Sequence, residues 1–192
     1  MKPKEGAAVS VGNELFRRYL DGDSGAFDLI IKRYRENLIF FVMRYVRSVS
    51  VAEDIAQDAF VELLIHKNRY NFSCSLKTYL FTIAKNKAVN YLRRRKFVSD
   101  DEIDPNSHSD EETLAERVIK GEQNEKLYKV LGKLSEDYRN ALYLVYIEDM
   151  SYEDAGRVMG KNRKQIENLV FRAKAAARKE LEKEGVYGEE RK

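Results

Sequence analysis

Residues 151–177 read SYEDAGRVMGKNRKQIENLVFRAKAAA, and this stretch decides the fold. Tyr152 to Met159 is predicted as a short helix, with Ser151 as N-cap and Glu153 and Asp154 in the first turn, where carboxylates complement exposed N–H groups. Gly160 ends that helix because a sharp turn needs a left-handed residue, and Asn162 caps the next one. From Arg163 this second helix carries Ile166, Leu169, Val170 and Ala173 at three- and four-residue spacing. The pattern is a helix-turn-helix, whose second helix enters the major groove of DNA with its N-terminal residues toward the base edges. Arg163, Lys164, Glu167, Asn168, Phe171 and Arg172 lie off the apolar stripe and are the candidate readers of duplex DNA. A helical hairpin with a solvated charged face is the other reading of these residues alone.

Working upstream, Ser135 with Glu136 and Asp137 opens a helix carrying Ala141, Leu142, Leu144, Val145 and Ile147. A helix before it, Thr113 to about Lys133, carries Leu114, Val118, Ile119, Leu127, Val130 and Leu131. Residues 113–192 therefore read as a small helical domain ending in the helix-turn-helix. Before it, residues 98–112 belong to a stretch reaching Glu116 that holds eight acids and neither Lys nor Arg. Such a composition buries little apolar area and reads as a flexible acidic linker.

Residues 1–97 read as a second helical domain behind a loose tail of about twelve residues. A short helix from Asn13 to Leu20 is followed by the breaker Asp21-Gly22-Asp23, after which Ser24 is expected to cap a long helix. In that helix Phe27, Ile30, Ile31, Tyr34, Leu38, Phe41, Val42 and Tyr45 form a wide apolar stripe. A third helix, about Val51 to His66, is expected to bury Ile55, Ala59, Phe60, Leu63 and Leu64. Glu53, Asp54, Gln57 and Asp58 fall on or beside its exposed face, which is either a solubilising surface or a docking face for a basic helix.

Residues 68–75, NRYNFSCS, form a polar and aromatic loop containing Tyr70, Asn71 and Phe72. The helix after it, Leu76 to about Phe97, carries Leu76, Leu80, Ile83, Ala84, Ala88 and Tyr91 on one side and Lys85, Asn86 and Arg93 on another. From Ala84 to Lys96 it holds six cations and no acid. Rings for stacking, amides for base edges and cations for phosphate are what single-stranded nucleic acid requires. The competing role for any one of the aromatics is closure of the core.

The fold class is therefore all-α, two small helical domains about an acidic linker. Of 192 residues, 43% are apolar and 35% charged, and only two Pro interrupt a chain suited to long helices. The net charge of +3 conceals two basic modules separated by an acidic one. A lone Cys74 excludes an intrachain disulfide and suits a reducing compartment. His66 and His108 lack ligand spacing, and neither a nucleophile–base pair nor a phosphate-cradling Gly loop is present. No catalytic residue, metal or cofactor is expected. Without an apolar run of signal or membrane-span length, the expectation is a cytoplasmic protein with no direct membrane insertion.

The chain resembles the extracytoplasmic-function group of the sigma-70 family of bacterial RNA polymerase sigma factors. AEDIAQDAFVELL (52–64) with SLKTYLFTIAKNKAVNYLRRRK (75–96) is similar to the family's second conserved region. LSEDYRNALYLVYIEDMSYEDAGRVMGKNRKQIENLVFRAKAAARKEL (134–181) is similar to its fourth. The resemblance implies core RNA polymerase, promoter DNA and an anti-sigma factor as partners. It implies that Glu53, Asp54, Gln57 and Asp58 meet the polymerase's coiled-coil clamp helices. Tyr70, Asn71, Phe72, Lys85, Asn86 and Arg93 would serve the unpaired minus-10 strand, the recognition helix the minus-35 duplex, and the linker would thread the RNA channel. Two departures stand out: Tyr79 replaces a usual Trp, and the recognition helix has Glu167 and Leu169 where basic or small polar residues are common. A transcription regulator with a C-terminal helix-turn-helix, acting without the polymerase, is the alternative reading.

Overall fold

The computed structural model describes residues 10–98 and 130–183. The expected linker and most of the expected helix from Thr113 lie outside the described residues. The chain divides into two compact units, residues 1–100 and 101–192, each built of helices with no strand among the described residues.

In the first unit, α1 (Val11–Leu20), α2 (Gly25–Val46), α3 (Val49–Ile65) and α4 (Leu76–Val98) pack around α2, with a single 3₁₀ turn at Lys67–Arg69. The apolar spacing of α2 explains its central place: Ile30, Leu38, Phe41 and Val42 are wholly buried, and Tyr34 nearly so. Phe16 from α1, Leu63 from α3 and Leu76, Leu80 and Phe81 from α4 close the core. Burial of each such side chain is worth about 1.5–3 kcal/mol, so these contacts hold the four helices against one another.

Several boundaries and faces differ from the periodicity reading. α1 begins at Val11, since Ser10 accepts from the Asn13 N–H. α3 begins at Val49, because Arg47 already ends α2 in the left-handed conformation (φ 52°). Ser24 makes no side-chain cap. Asp23 Oδ1 accepts from the Ala26 N–H instead, at 3.3 Å. Leu64 is 40% exposed, while Ala52 and Ala56 take the buried positions on α3, because small side chains let α3 approach its neighbours closely.

The second unit contains helical residues 130–132, then α5 (Glu136–Leu142), a π-helical turn (Tyr143–Ile147), α6 (Tyr152–Met159) and α7 (Arg163–Lys183). Ser135 caps α5 by accepting from the Tyr138 N–H. Val130, Ala141, Leu144, Ile166 and Ala173 are fully buried. The π turn adds a residue to the helical repeat and rotates the positions after it. Ile147 consequently stands 69% exposed, against its expected place in the core, and Glu148 is buried with its carboxylate accepting from the Tyr143 hydroxyl at 2.7 Å.

Candidate nucleic-acid and polymerase interfaces

The aromatic loop of the first unit is tied to α1 through Asn13. Asn13 Oδ1, on α1, accepts from the Tyr70 hydroxyl at 2.8 Å and from the Leu76 N–H at 2.7 Å, so it fixes both ends of the loop. The Tyr70 hydroxyl also lies 2.6 Å from the Cys74 carbonyl. Ser75 caps α4 by accepting from the Thr78 N–H at 3.0 Å. Burial pushes the Tyr70 phenol well above its ordinary range, with nearby Cys74 and Tyr34 adding to the shift. Tyr79 is raised too, chiefly by burial.

Tyr70 thus departs from the expectation of a base-stacking platform. It is 4% exposed and packs against Phe16, Phe72 and Tyr79 at 4.8–5.4 Å, leaving no open ring face for a base. Phe72 and Asn71 are the residues it supports. Phe72 is half-buried with φ 59°, a left-handed conformation that a bulky residue adopts only when its surroundings enforce it. The Asn71 side chain contributes by accepting from the Ser73 N–H at 3.1 Å, and Asn71 itself is exposed. Arg17 of α1 lies over the Phe72 ring at 4.9 Å. Neither Asn13 nor Arg17 was recognisable as a site residue in the sequence, because their partners are far along the chain.

On α4, Asn86 and Arg93 are exposed and Lys85 is half-buried. Asn86 and Arg93 are seven residues apart and share one face, roughly 10 Å along the axis. Lys87, on a different face, lies 3.0 Å from Glu62 and 3.7 Å from Asp58.

Glu53, Asp54, Gln57 and Asp58 are all exposed on α3. Their charge is partly neutralised within the unit, because Glu53 also meets Arg35 at 3.1 Å. Beside them Val61, Leu64 and Ile65 leave 43%, 40% and 66% of their surfaces exposed, so the same helix carries an acidic segment followed by an apolar one.

In the second unit, Ser151 Oγ accepts from the Asp154 N–H at 3.1 Å, and Gly160 ends α6 at φ 69°. Asn162 and Gln165 cap each other: the Asn162 N–H donates to Gln165 Oε1 at 2.8 Å and the Gln165 N–H to Asn162 Oδ1 at 2.9 Å. Arg163, Lys164, Glu167, Asn168, Phe171 and Arg172 are all exposed on α7, Phe171 to 76%. Lys164 Nζ lies 3.4 Å from Glu167 Oε2, and the expected stripe residue Leu169 is only half-buried.

The sequence matches the model of sigma-70 region 2 over residues 30–98 and that of sigma-70 region 4 over residues 124–176. It is 30% identical to the RNA polymerase sigma-H factor of Pseudomonas aeruginosa over 88% of this chain and 93% of that one. The chain belongs to the extracytoplasmic-function group of the sigma-70 family. The sigma-E factor of Escherichia coli K12, in the same group, is likewise 30% identical, over 84% of this chain and 90% of that protein. Two solved structures share the fold. CnrH, bound to the cytosolic domain of CnrY, superposes with a TM-score of 0.64 at 22% identity, over 89% of this chain and 97% of CnrH. RpoE of Bartonella quintana, bound to the anti-sigma factor NepR, gives 0.62 at 24% identity, over 81% and 96%. As a member of this group the chain is an alternative sigma factor for transcription initiation. Among the described residues no helix is long and apolar enough to cross a membrane.

Proposed function

We propose that this sigma factor binds core RNA polymerase in the cytoplasm and places residues 1–97 on the minus-10 element and residues 113–192 on the minus-35 element, with residues 98–112 linking them through the polymerase. It acts by binding and not by catalysis. The observation that carries the reading is the buttressed loop: Tyr70, bonded to Asn13, packs its ring against Phe72, whose backbone is left-handed, beside exposed Asn71, and a ring next to an exposed amide is what an unstacked base requires. Asn71 and Phe72 meet the flipped base, and Lys85, Asn86 and Arg93 accompany the strand.

Unstacking a base costs a few kcal/mol, and stacking on an aromatic side chain returns roughly 1–3 kcal/mol. The two nearly cancel. The free protein therefore melts DNA poorly, and polymerase contacts to Glu53, Asp54, Gln57 and Asp58 on α3 supply the difference. The exposed Val61, Leu64 and Ile65 extend that face with apolar surface, and an anti-sigma factor covering it would compete with polymerase. Run-off transcription with purified core polymerase is the test: promoter-specific transcripts from genomic fragments are expected only when the chain is present. A yield no higher than with core alone would refute the assignment.

A further inference from the structure

We propose that Arg17 of α1 binds a phosphate of the unpaired promoter strand beside Phe72, so that the single-strand site extends beyond α4 and the loop to a helix that precedes the region-2 match at residue 30. This rests on the function proposed above and adds a binding residue to it.

Three independent observations place Arg17 there. First, α1 is fastened to the loop, since Asn13 bonds both Tyr70 and Leu76, 57 and 63 residues away in sequence. Arg17 stands four residues after Asn13, one turn along α1, and is therefore delivered to the loop with little freedom. Second, its guanidinium carbon lies over Phe72, 4.9 Å from the ring centroid. A guanidinium over a ring uses its cationic centre there and still has N–H donors of its planar fork left to match phosphate oxygens.

Third, the charge is available. Arg18, its neighbour, is paired with Asp23 at 2.6 Å, and Arg35 with Glu53 at 3.1 Å. Among the described residues no carboxylate pairs with Arg17, although it is exposed. An exposed cation over the aromatic of a base-binding loop, unpaired with any carboxylate among the described residues, is the arrangement that single-strand readers use to hold backbone next to base. Lys85, Asn86 and Arg93 on α4 would hold the strand elsewhere along its path, and Arg17 would grip it at the loop.

The test uses holoenzyme made from core polymerase and the full chain, with a promoter fragment selected by the wild-type holoenzyme. The minus-10 segment is either fully paired or held open by mismatches. Arg17→Ala and Arg17→Gln are expected to weaken binding to the open fragment roughly tenfold, as loss of a charge-assisted phosphate contact should, and to lower the salt slope by about 0.7. Arg17→Lys, which keeps the charge, is expected to restore most of the slope. Urea denaturation of each variant should overlay the wild type, because Arg17 is exposed. Unchanged affinity and slope in both neutral variants, or an equal loss on paired and open fragments, would overturn the role of Arg17. Failure of the wild-type holoenzyme to select any fragment would instead sink the functional reading on which it rests.

Discussion

Gly156 on α6 faces the backbone carbonyl of Lys161 so closely that a Cβ at residue 156 would stand 2.5 Å from that oxygen. The turn between α6 and α7 is therefore closed against bare backbone, which has no flexible side chain to move aside. Gly156→Ala is expected to force the two helices apart at a cost of about 1–3 kcal/mol. Thermal denaturation should show a fall of several degrees in the transition of the second unit, and duplex binding should weaken with it. A variant as stable as the wild type would mean that the turn relaxes freely.

Tyr70 supplies a pH-dependent contribution whose sign follows from its environment. Its folded-state pKa is raised above the ordinary value near 10, chiefly by burial. The unfolded chain then loses the phenolic proton first as pH rises, and the folded chain binds more protons than the unfolded one. Stability from this group is complete below about pH 10 and declines as pH climbs toward the folded-state pKa. Urea titrations from pH 8 to 11 should show an alkaline decline that is smaller in Tyr70→Phe. The same variant should lose about 1 kcal/mol at neutral pH, from the hydrogen bond whose single proton is shared between Asn13 Oδ1 and the Cys74 carbonyl.

The acidic face of α3 separates a sigma factor from a regulator that acts alone. Asp54→Lys with Asp58→Lys is expected to reduce capture by immobilised core polymerase at least tenfold. Both positions are exposed, so stability should move by no more than about 0.5 kcal/mol at Asp54 and about 1 kcal/mol at Asp58, which gives up its ion pair with Lys87. Retained capture would remove this face from the interface.

Glu167 is expected to read one base pair of the minus-35 duplex. Its carboxylate can accept from the N4 amino group of cytosine, while Lys164 at 3.4 Å offsets its repulsion of phosphate. Duplex selection with wild type and Glu167→Gln should therefore differ at one position by about 1–3 kcal/mol of discrimination, and Glu167→Arg should shift that position toward guanine. Identical selected sequences for all three would show that Glu167 does not touch a base.

The residues determine by themselves whatever depends on neighbours within about a turn. Ser135 and Ser151 as caps, Gly160 as a left-handed stop, and the stripes through Ile30, Leu38, Leu80 and Ile166 all follow from local spacing, because helix periodicity and capping act within four residues. The same locality explains the misplaced details. Asp23 took the cap expected of Ser24, and the π turn at Tyr143–Ile147 turned Ile147 outward, since one extra residue in a turn resets every later face.

Tertiary structure alone decided how the single-strand loop is made. Tyr70 reads equally as platform or strut, and only the packing of α1 against α4, which brings Asn13 to a residue 57 positions away, makes it a strut. The same packing sets Arg17 over Phe72, and the packing of α3 against α4 sets Lys87 between Asp58 and Glu62. A hydrogen bond or ring contact between helices depends on their crossing in space, and spacing along the chain carries no trace of that crossing.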